Sequence, residues 1–391
     1  MKDVKHCCGC GACVQACPVG CITFERDAEG FEYPRVKLEE CTDCGRCERV
    51  CPMLHPNDPA APLSAQGVIH SDTTVRLGSS SGGVFHALAT AVLREGGVVV
   101  GAMFDEHHTL CQQATDNTDD LPRLRGSKYI QSSNHEAFQQ VREALKQERR
   151  VFFVGTPCQV AGLRRYLGQD NPLLLTADFF CHGVPSPLVW QRFLDEVLAS
   201  HHLRHEDIAH ISFRHKSGGW REYRMTLTLK DGREIGIPRR KNAYQRAFDE
   251  NLSLRPSCYE CPVRGGRNQS DLTLADFWDI AHVRPSVDDN KGVSLVLCHT
   301  TKGIEALQQP CLQRFDTDLE AALRHNPAYH ATRTSPHPQR THFFTQLATA
   351  ENVTQLIEQE LHLPLLQRLR KEINLRKYLL KQHLMRLMTW K

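Results

Sequence analysis

Two cysteine runs constrain this chain more than any other feature. Cys7-Cys8-Gly9-Cys10-Gly11-Ala12-Cys13-Val14-Gln15-Ala16-Cys17-Pro18 and Cys41-Thr42-Asp43-Cys44-Gly45-Arg46-Cys47-Glu48-Arg49-Val50-Cys51-Pro52 share the spacing C-x2-C-x2-C-x3-C-P. Three closely spaced thiolates wrap three irons of a 4Fe–4S cubane, and the fourth cysteine of each run reaches the other cubane. The spacing assigns Cys7, Cys10, Cys13 and Cys51 to one cluster. It assigns Cys41, Cys44, Cys47 and Cys17 to a second. Gly9, Gly11 and Gly45 let the backbone wrap closely and turn N–H groups toward sulfur. Zinc is the alternative, but its sites favour two C-x2-C pairs over a run of four followed by proline. Ten of the 17 cysteines precede residue 52. In a chain of 391 residues without an export signal, that density points to metal or redox chemistry before disulfides. Cys8, between two ligands, is expected to point away, and Cys21 to pack.

Residues 1 to about 56 resemble the dicluster ferredoxin domain, which implies one-electron transfer. Between the runs, Ile22 to Leu38 reads as a short hairpin turning at Asp27 to Gly30. The segment His55-Pro56-Asn57-Asp58-Pro59-Ala60-Ala61-Pro62 is polar and proline-rich, so residues 57–64 read as a linker.

Beyond it, strands and helices alternate. Strands are expected at Val68 to His70, Val98 to Phe104, Val151 to Val154 and Leu173 to Phe180. Helices are expected at Val84 to Arg94, Ser133 to Gln147, Gln159 to Leu167 and Pro187 to Ala199. This alternation implies an α/β domain with a largely parallel sheet, α+β for the chain as a whole. Hairpins follow between Ile211 and Pro238. The second domain is expected over residues 65–345 and a helical tail over 346–391. Charge nearly balances, with 48 Lys plus Arg against 45 Asp plus Glu, which gives no footprint for nucleic acid. No apolar stretch approaches 18 residues, and Met1 to His6 lack a signal-peptide core. The expectation is a cytoplasmic chain without a transmembrane segment.

Three features of the second domain carry chemistry. Gly78-Ser79-Ser80-Ser81-Gly82-Gly83 opens a helix, where small residues admit a ligand and the helix terminus attracts anions. A plain serine cap is the alternative. Arg125-Gly126-Ser127-Lys128-Tyr129 suits a phosphate or a flavin edge, and a solvated loop would look much the same. Cys158 and Cys181 follow strands, at the sheet edge where α/β proteins bind ligands. With the C-x-x-C of Cys258 and Cys261, four thiolates are placed to converge on a third cubane. Structural zinc, a thiol–disulfide pair and plain buried thiols are the alternatives. Cys111, Cys298 and Cys311 have no partner in sequence and read as structural.

These motifs, in this order, resemble the coenzyme F420 hydrogenase/dehydrogenase beta-subunit family. The motifs are Ser81-Gly82-Gly83, Gly126-Ser127-Lys128-Tyr129, Gly155-Thr156-Pro157-Cys158-Gln159, Cys181-His182-Gly183-Val184-Pro185-Ser186 and Cys258-Tyr259-Glu260-Cys261. The likeness spans about residues 1–345. It implies an iron–sulfur flavoprotein oxidoreductase, with FAD or FMN passing electrons between clusters and a two-electron partner such as F420 or another small molecule. Bacterial members of this fused type accompany polysaccharide pyruvyl transferases. The resemblance implies Ser81, Gly82, Gly83, Gly126, Ser127, Lys128 and Tyr129 as flavin-site residues. It implies Cys158, Cys181, Cys258 and Cys261 as ligands of the additional cluster. Lys128 would stabilise negative charge on reduced flavin or its phosphate, and His182 would donate a proton. Where the family reads close to Leu-Gly-Asp-Phe-Trp-Gly, this chain has Leu274-Ala275-Asp276-Phe277-Trp278-Asp279, without either glycine.

The implied partners are a ferredoxin or a partner enzyme, which also opens the reading of a non-catalytic electron-transfer subunit. The tail from Leu366 to Lys391 is basic, with Leu369, Ile373, Leu380, Leu384 and Leu387 at helical spacing. It reads as a helix packed on the domain, or as one docked on an anionic membrane surface or acidic partner.

Overall fold

The structure is a computed structural model that describes residues 6–267, 269–324, 326, 329 and 333–362. The expected basic helix of the tail lies outside the described residues. Among them, no helix is long and apolar enough to cross a membrane.

The first cysteine run bends through a short helix, Ala12–Ala16, and the second through Arg46–Arg49. Between them lies an antiparallel hairpin of β1 (Ile22–Arg26) and β2 (Glu32–Val36). The chain then lays down β3 (Ser64–His70), β4 (Val98–Phe104), β5 (Leu110–Thr115), β6 (Val151–Val154) and β7 (Leu174–Phe179). A separate three-stranded antiparallel sheet follows: β8 (Ile208–His215), β9 (Arg224–Leu229) and β10 (Glu234–Pro238). Finally β11 (Leu272–Asp276), β12 (Ser294–Cys298) and β13 (Leu312–Asp316) return to the large sheet.

That sheet has eight strands in the order β13-β3-β12-β11-β7-β6-β4-β5. Its parallel part is the central β11-β7-β6-β4. The other four strands pair antiparallel at the flanks. The sheet is therefore mixed rather than largely parallel: β5 returns antiparallel through the short link 105–109, too short for a parallel crossover, and β3, β12 and β13 pair antiparallel at the other flank.

Side chains alternate across the central strands. Val99, Phe152 and Leu175 face the helix Val84–Arg94. Val98, Val100, Val151, Phe153 and Leu174 face the helices Ala137–Lys146 and Pro157–Leu167. The expected start of the former helix at Ser133 gives way to pairing. Ser133 N–H donates to Leu110 O at 2.9 Å and Ser133 O accepts from Gln112 N–H at 2.8 Å, so the strand β5 claims the backbone that would begin the helix. A further core joins the helix Pro187–Ser200, the small sheet, and the helices Ala243–Asp249, Arg340–Leu347 and Val353–Glu360.

The amino-terminal region packs directly on the large sheet's helices. Ala12, Ala16 and Val50 share one core with Phe138, Val160 and Leu163. The proline-rich segment is pinned rather than free. Ala60 N–H donates to Gly266 O at 3.1 Å, Leu63 N–H to Cys298 O at 2.7 Å, and Asn57 Nδ2 to Arg267 O at 2.9 Å.

Candidate iron–sulfur and redox site

Cysteines occupy three neighbouring places. Cys7, Cys10, Cys13 and Cys51 lie together on the inner side of the amino-terminal region, where Cys10 and Cys13 are buried. Burial and the thiols of Cys7, Cys51 and Cys47 push Cys13 up to about 12. Burial likewise raises Cys51. The second group lies outward. Cys41 and Cys44 are exposed, and Cys17 Sγ is 3.5 Å from Cys21 Sγ, which in turn faces Cys41. Cys21 packs, being 1% exposed, but it packs against these thiols rather than into apolar core.

The third place lies beyond the carboxyl ends of β6 and β7. After β6, Thr156 and Gln159 form a capping box and Pro157 takes the first helical position, so Cys158 stands in the first turn of Pro157–Leu167. Its thiol is 3.1 Å from Thr156 Oγ1. After β7, the loop carrying Cys181 turns back until Val184 N–H meets Cys258 Sγ at 3.4 Å. Cys258 ends a short helical turn, Pro256–Cys258, and Cys261 follows it by three residues. Cys158, Cys181, Cys258 and Cys261 line one small cavity, and Cys8 lines it with them. Burial pushes Cys258 up to about 12 and raises Cys181 and Cys261.

Cys8 therefore does not point away. Its thiol faces Cys10 on one side and Cys158 on the other. The reason is the turn at Gly9, whose φ of 70° is left-handed. A Cβ there would stand 2.4 Å from Gln131 Nε2 and 3.0 Å from Arg255 Nη1, so the second domain presses on this turn from outside.

Arg255 organises the junction. It is fully buried, and its donors go to Cys7 O at 2.7 Å, Gln131 Oε1 at 2.9 Å and Glu32 O at 2.8 Å, all uncharged. Tyr33 stacks beneath it at 4.2 Å. A buried cation held by neutral groups is costly unless an anion lies near. A cluster bearing four thiolates is such an anion. Nothing in the sequence marked Arg255. Its one signal is its place three residues before Cys258.

The donor set fits iron–sulfur clusters. Thiols kept protonated by burial and mutual repulsion become thiolates once iron binds them. Among the described residues, no three His, Cys, Asp or Glu side chains converge to hold a single ion. Cubane thiolates sit on separate irons and need no such convergence.

The flavin-site candidates are only partly assembled. Ser127 N–H donates to Ser80 Oγ at 2.7 Å, which joins the two small-residue loops. Ser81 Oγ donates to Val293 O at 2.8 Å, and Gly82 N–H to Ser294 Oγ at 2.9 Å, so these residues serve packing against β12 and the loop before it. Gly83 begins the following helix, and Gly126 faces the Ser80 hydroxyl. Tyr129 turns into the core, 4.9 Å from the Phe248 ring. Lys128 lines a second, larger cavity of about 390 Å³ beside the end of β4, with Phe104, His108, His205 and His210. Its Nζ donates to the carbonyls of Leu124, Arg125 and Gly126, and burial lowers its pKa to about 7. His182 lines neither cavity. Its ring stands edge-on to Phe248 at 5.0 Å, and burial lowers its pKa. Lys128 and His182 are thus not brought to one site. In the segment without the two glycines, Asp276 bonds Arg214 Nη1 at 2.5 Å and Trp220 Nε1 at 3.2 Å, while Trp278 stacks on Trp220.

Comparison with known proteins adds the following. Residues 6–54 match the 4Fe-4S dicluster domain. Residues 148–314 match the family described as the carboxyl terminus of the coenzyme F420 hydrogenase/dehydrogenase beta chain. Among curated proteins, a subunit of the F(420)H(2) dehydrogenase of Methanosarcina mazei is 28% identical over 172 residues, covering 41% of this chain and 49% of that protein. The chain thus spans about half the length of the curated relative it matches. Among solved structures, one titled as a xenon derivative of the F420-reducing [NiFe] hydrogenase complex from Methanosarcina barkeri superposes with a TM-score of 0.47 at 15% identity, covering 70% of this chain and 91% of that one. Residues 148–314 are thus similar to the carboxyl-terminal part of the coenzyme F420 hydrogenase/dehydrogenase beta subunit, and residues 6–54 to a 4Fe-4S dicluster domain.

Proposed function

We propose that this chain is an iron–sulfur electron-transfer subunit of the F420 hydrogenase/dehydrogenase type, moving electrons between a surface donor and a two-electron partner. The observation that carries this reading is the succession of cysteines. It runs from exposed Cys41 and Cys44, through buried Cys10 and Cys13, to the cavity of Cys158, Cys181, Cys258 and Cys261 at the sheet's carboxyl edge. Three clusters would sit along it. Residues 1–56 would act as the ferredoxin unit and residues 65–345 as the partner-facing unit. FAD or FMN would convert single electrons into pairs. The cavity past β4 is the place we assign to the flavin or the substrate. Lys128 would there face the anionic part of the ligand.

The matched relative is itself named as a subunit, which favours a reading in which a partner protein completes the chemistry. The test is iron, zinc and flavin per chain on anaerobically purified protein. About twelve irons with one flavin support the full relay. About eight irons without flavin reduce the proposal to a two-cluster carrier. Cys258→Ala and Cys261→Ala should each lose about four irons and leave the ferredoxin signals intact. Unchanged iron content would remove these cysteines from the relay.

A further inference from the structure

We infer that the Cys8 thiol is the junction through which an electron passes between the amino-terminal cluster site and the central one. This rests on the three-cluster reading above. Cys8 is bonded through the main chain to Cys7 and lies two residues from Cys10, both assigned to the inner cluster. Its thiol faces Cys10 and Cys158 and lines the cavity of the central cysteines. Cys8 thus lies beside both ligand sets while belonging to neither spacing pattern.

Its orientation is held from three sides. Gln131 Nε2 donates to Cys8 O at 3.1 Å. Arg255 holds Cys7 O on one side, and Asn134 Nδ2 donates to Cys10 O at 2.8 Å on the other. Gln131 and Arg255 are bonded to each other, so the hold on Cys7 O and Cys8 O is one network spanning both domains. A side chain that merely filled space would not require its backbone to be fixed at three neighbouring carbonyls.

The step is a transfer of one electron. The inner site is oxidised by one, the central site is reduced by one, and no bond or proton changes place. A sulfur beside Cys158, on the wall of the same cavity, shortens the gap that the electron would otherwise cross through empty space or water. A ligand role for Cys8 is the nearest competitor. Against it, Cys158, Cys181, Cys258 and Cys261 already supply four thiols within one another's electrostatic reach, whereas Cys8 meets that set at Cys158.

The test uses the full chain, purified anaerobically, as Cys8→Ala and Cys8→Ser beside the unchanged protein. Iron is counted first, and dithionite reduction is then followed by freeze-quenched electron paramagnetic resonance. Both variants are expected to keep full iron, to reduce their amino-terminal clusters at the normal rate, and to reduce the central cluster severalfold more slowly. Normal central reduction with full iron overturns the inference while leaving the three-cluster reading standing. Loss of about four irons overturns it in favour of a ligand role. An unchanged protein with only about eight irons overturns the three-cluster reading itself, and the inference with it.

Discussion

Glu32 and His135 form a pair whose protonation reports on the seam between the hairpin and the second domain. His135 Nε2 lies 3.0 Å from Glu32 Oε2. The hydrogen bond to Glu32 outweighs burial and raises the imidazole pKa above its ordinary value. Burial alone would raise Glu32, but His135 and Arg26 outweigh it and hold the carboxyl below its usual range. The histidine's contribution is complete below its unfolded pKa of about 6.5 and is lost as pH rises through its higher folded value. The carboxylate's contribution is complete above about 4.3 and is lost as pH falls through its lower folded value. Their joint effect peaks at about pH 5 to 6. The histidine is half exposed, so the effect is no more than about 1 kcal/mol. Urea unfolding of wild type against His135→Ala should show the largest difference in that window and a shrinking one toward alkaline pH. A difference constant across the range would mean that the ion pair is not formed. Residue-scale features of this kind, Arg255 above all, were invisible in the sequence, because a buried cation and an exposed one are written with the same letter.

At the scale of elements, one side chain starts a helix of another domain. The helix Ala137–Lys146 has no side-chain cap of its own at Glu136. Gln15 Oε1 accepts from Phe138 N–H at 2.9 Å and from Gln139 N–H at 3.1 Å, as a local cap would. Gln15 Nε2 meanwhile donates to Asn134 O at 3.1 Å. Gln15→Ala should cost about 1–2 kcal/mol in chemical denaturation. It should also speed hydrogen exchange at the Phe138 and Gln139 amides. Unchanged exchange there would show that the helix end finds another acceptor. Helix and strand placement was otherwise legible where the apolar period was strong. Val84–Arg94, Val98–Phe104 and Val151–Val154 lie where the sequence places them. The helix expected from Ser133 begins later because Ser133 bonds a distant strand, and local periodicity carries no record of that.

For the whole molecule, the consequence is that the amino-terminal region does not behave as a tethered module. It shares a core with Phe138, Val160 and Leu163, and Arg340 Nη1 reaches Glu29 Oε1 of its hairpin turn at 2.9 Å. A protease site inserted between Asp58 and Pro59 should yield two fragments that still elute together from gel filtration at moderate salt. Separation on cleavage alone would mean that the shared core contributes little. Under the proposed relay, rigid seating would have a functional reason. Electron transfer falls steeply with distance, and a swinging domain would hold its clusters close to the central cysteines only part of the time.

The sequence by itself determined the two cysteine runs, whose spacing carries the proposed crossed ligand assignment, and the alternation of strands and helices. These depend on spacing along the chain, and spacing survives without a fold. It also marked Cys158, Cys181, Cys258 and Cys261 as candidates, on their sites after strands and in a C-x-x-C. Only the tertiary structure decided that Cys8 turns toward Cys158, that Arg255 clamps the junction, and that Ser81, Gly82 and Tyr129 are occupied by packing. Each of these depends on which surfaces meet when the amino-terminal region folds onto the helix Pro157–Leu167. A contact between residues 8 and 158 leaves no period and no motif in the chain that makes it.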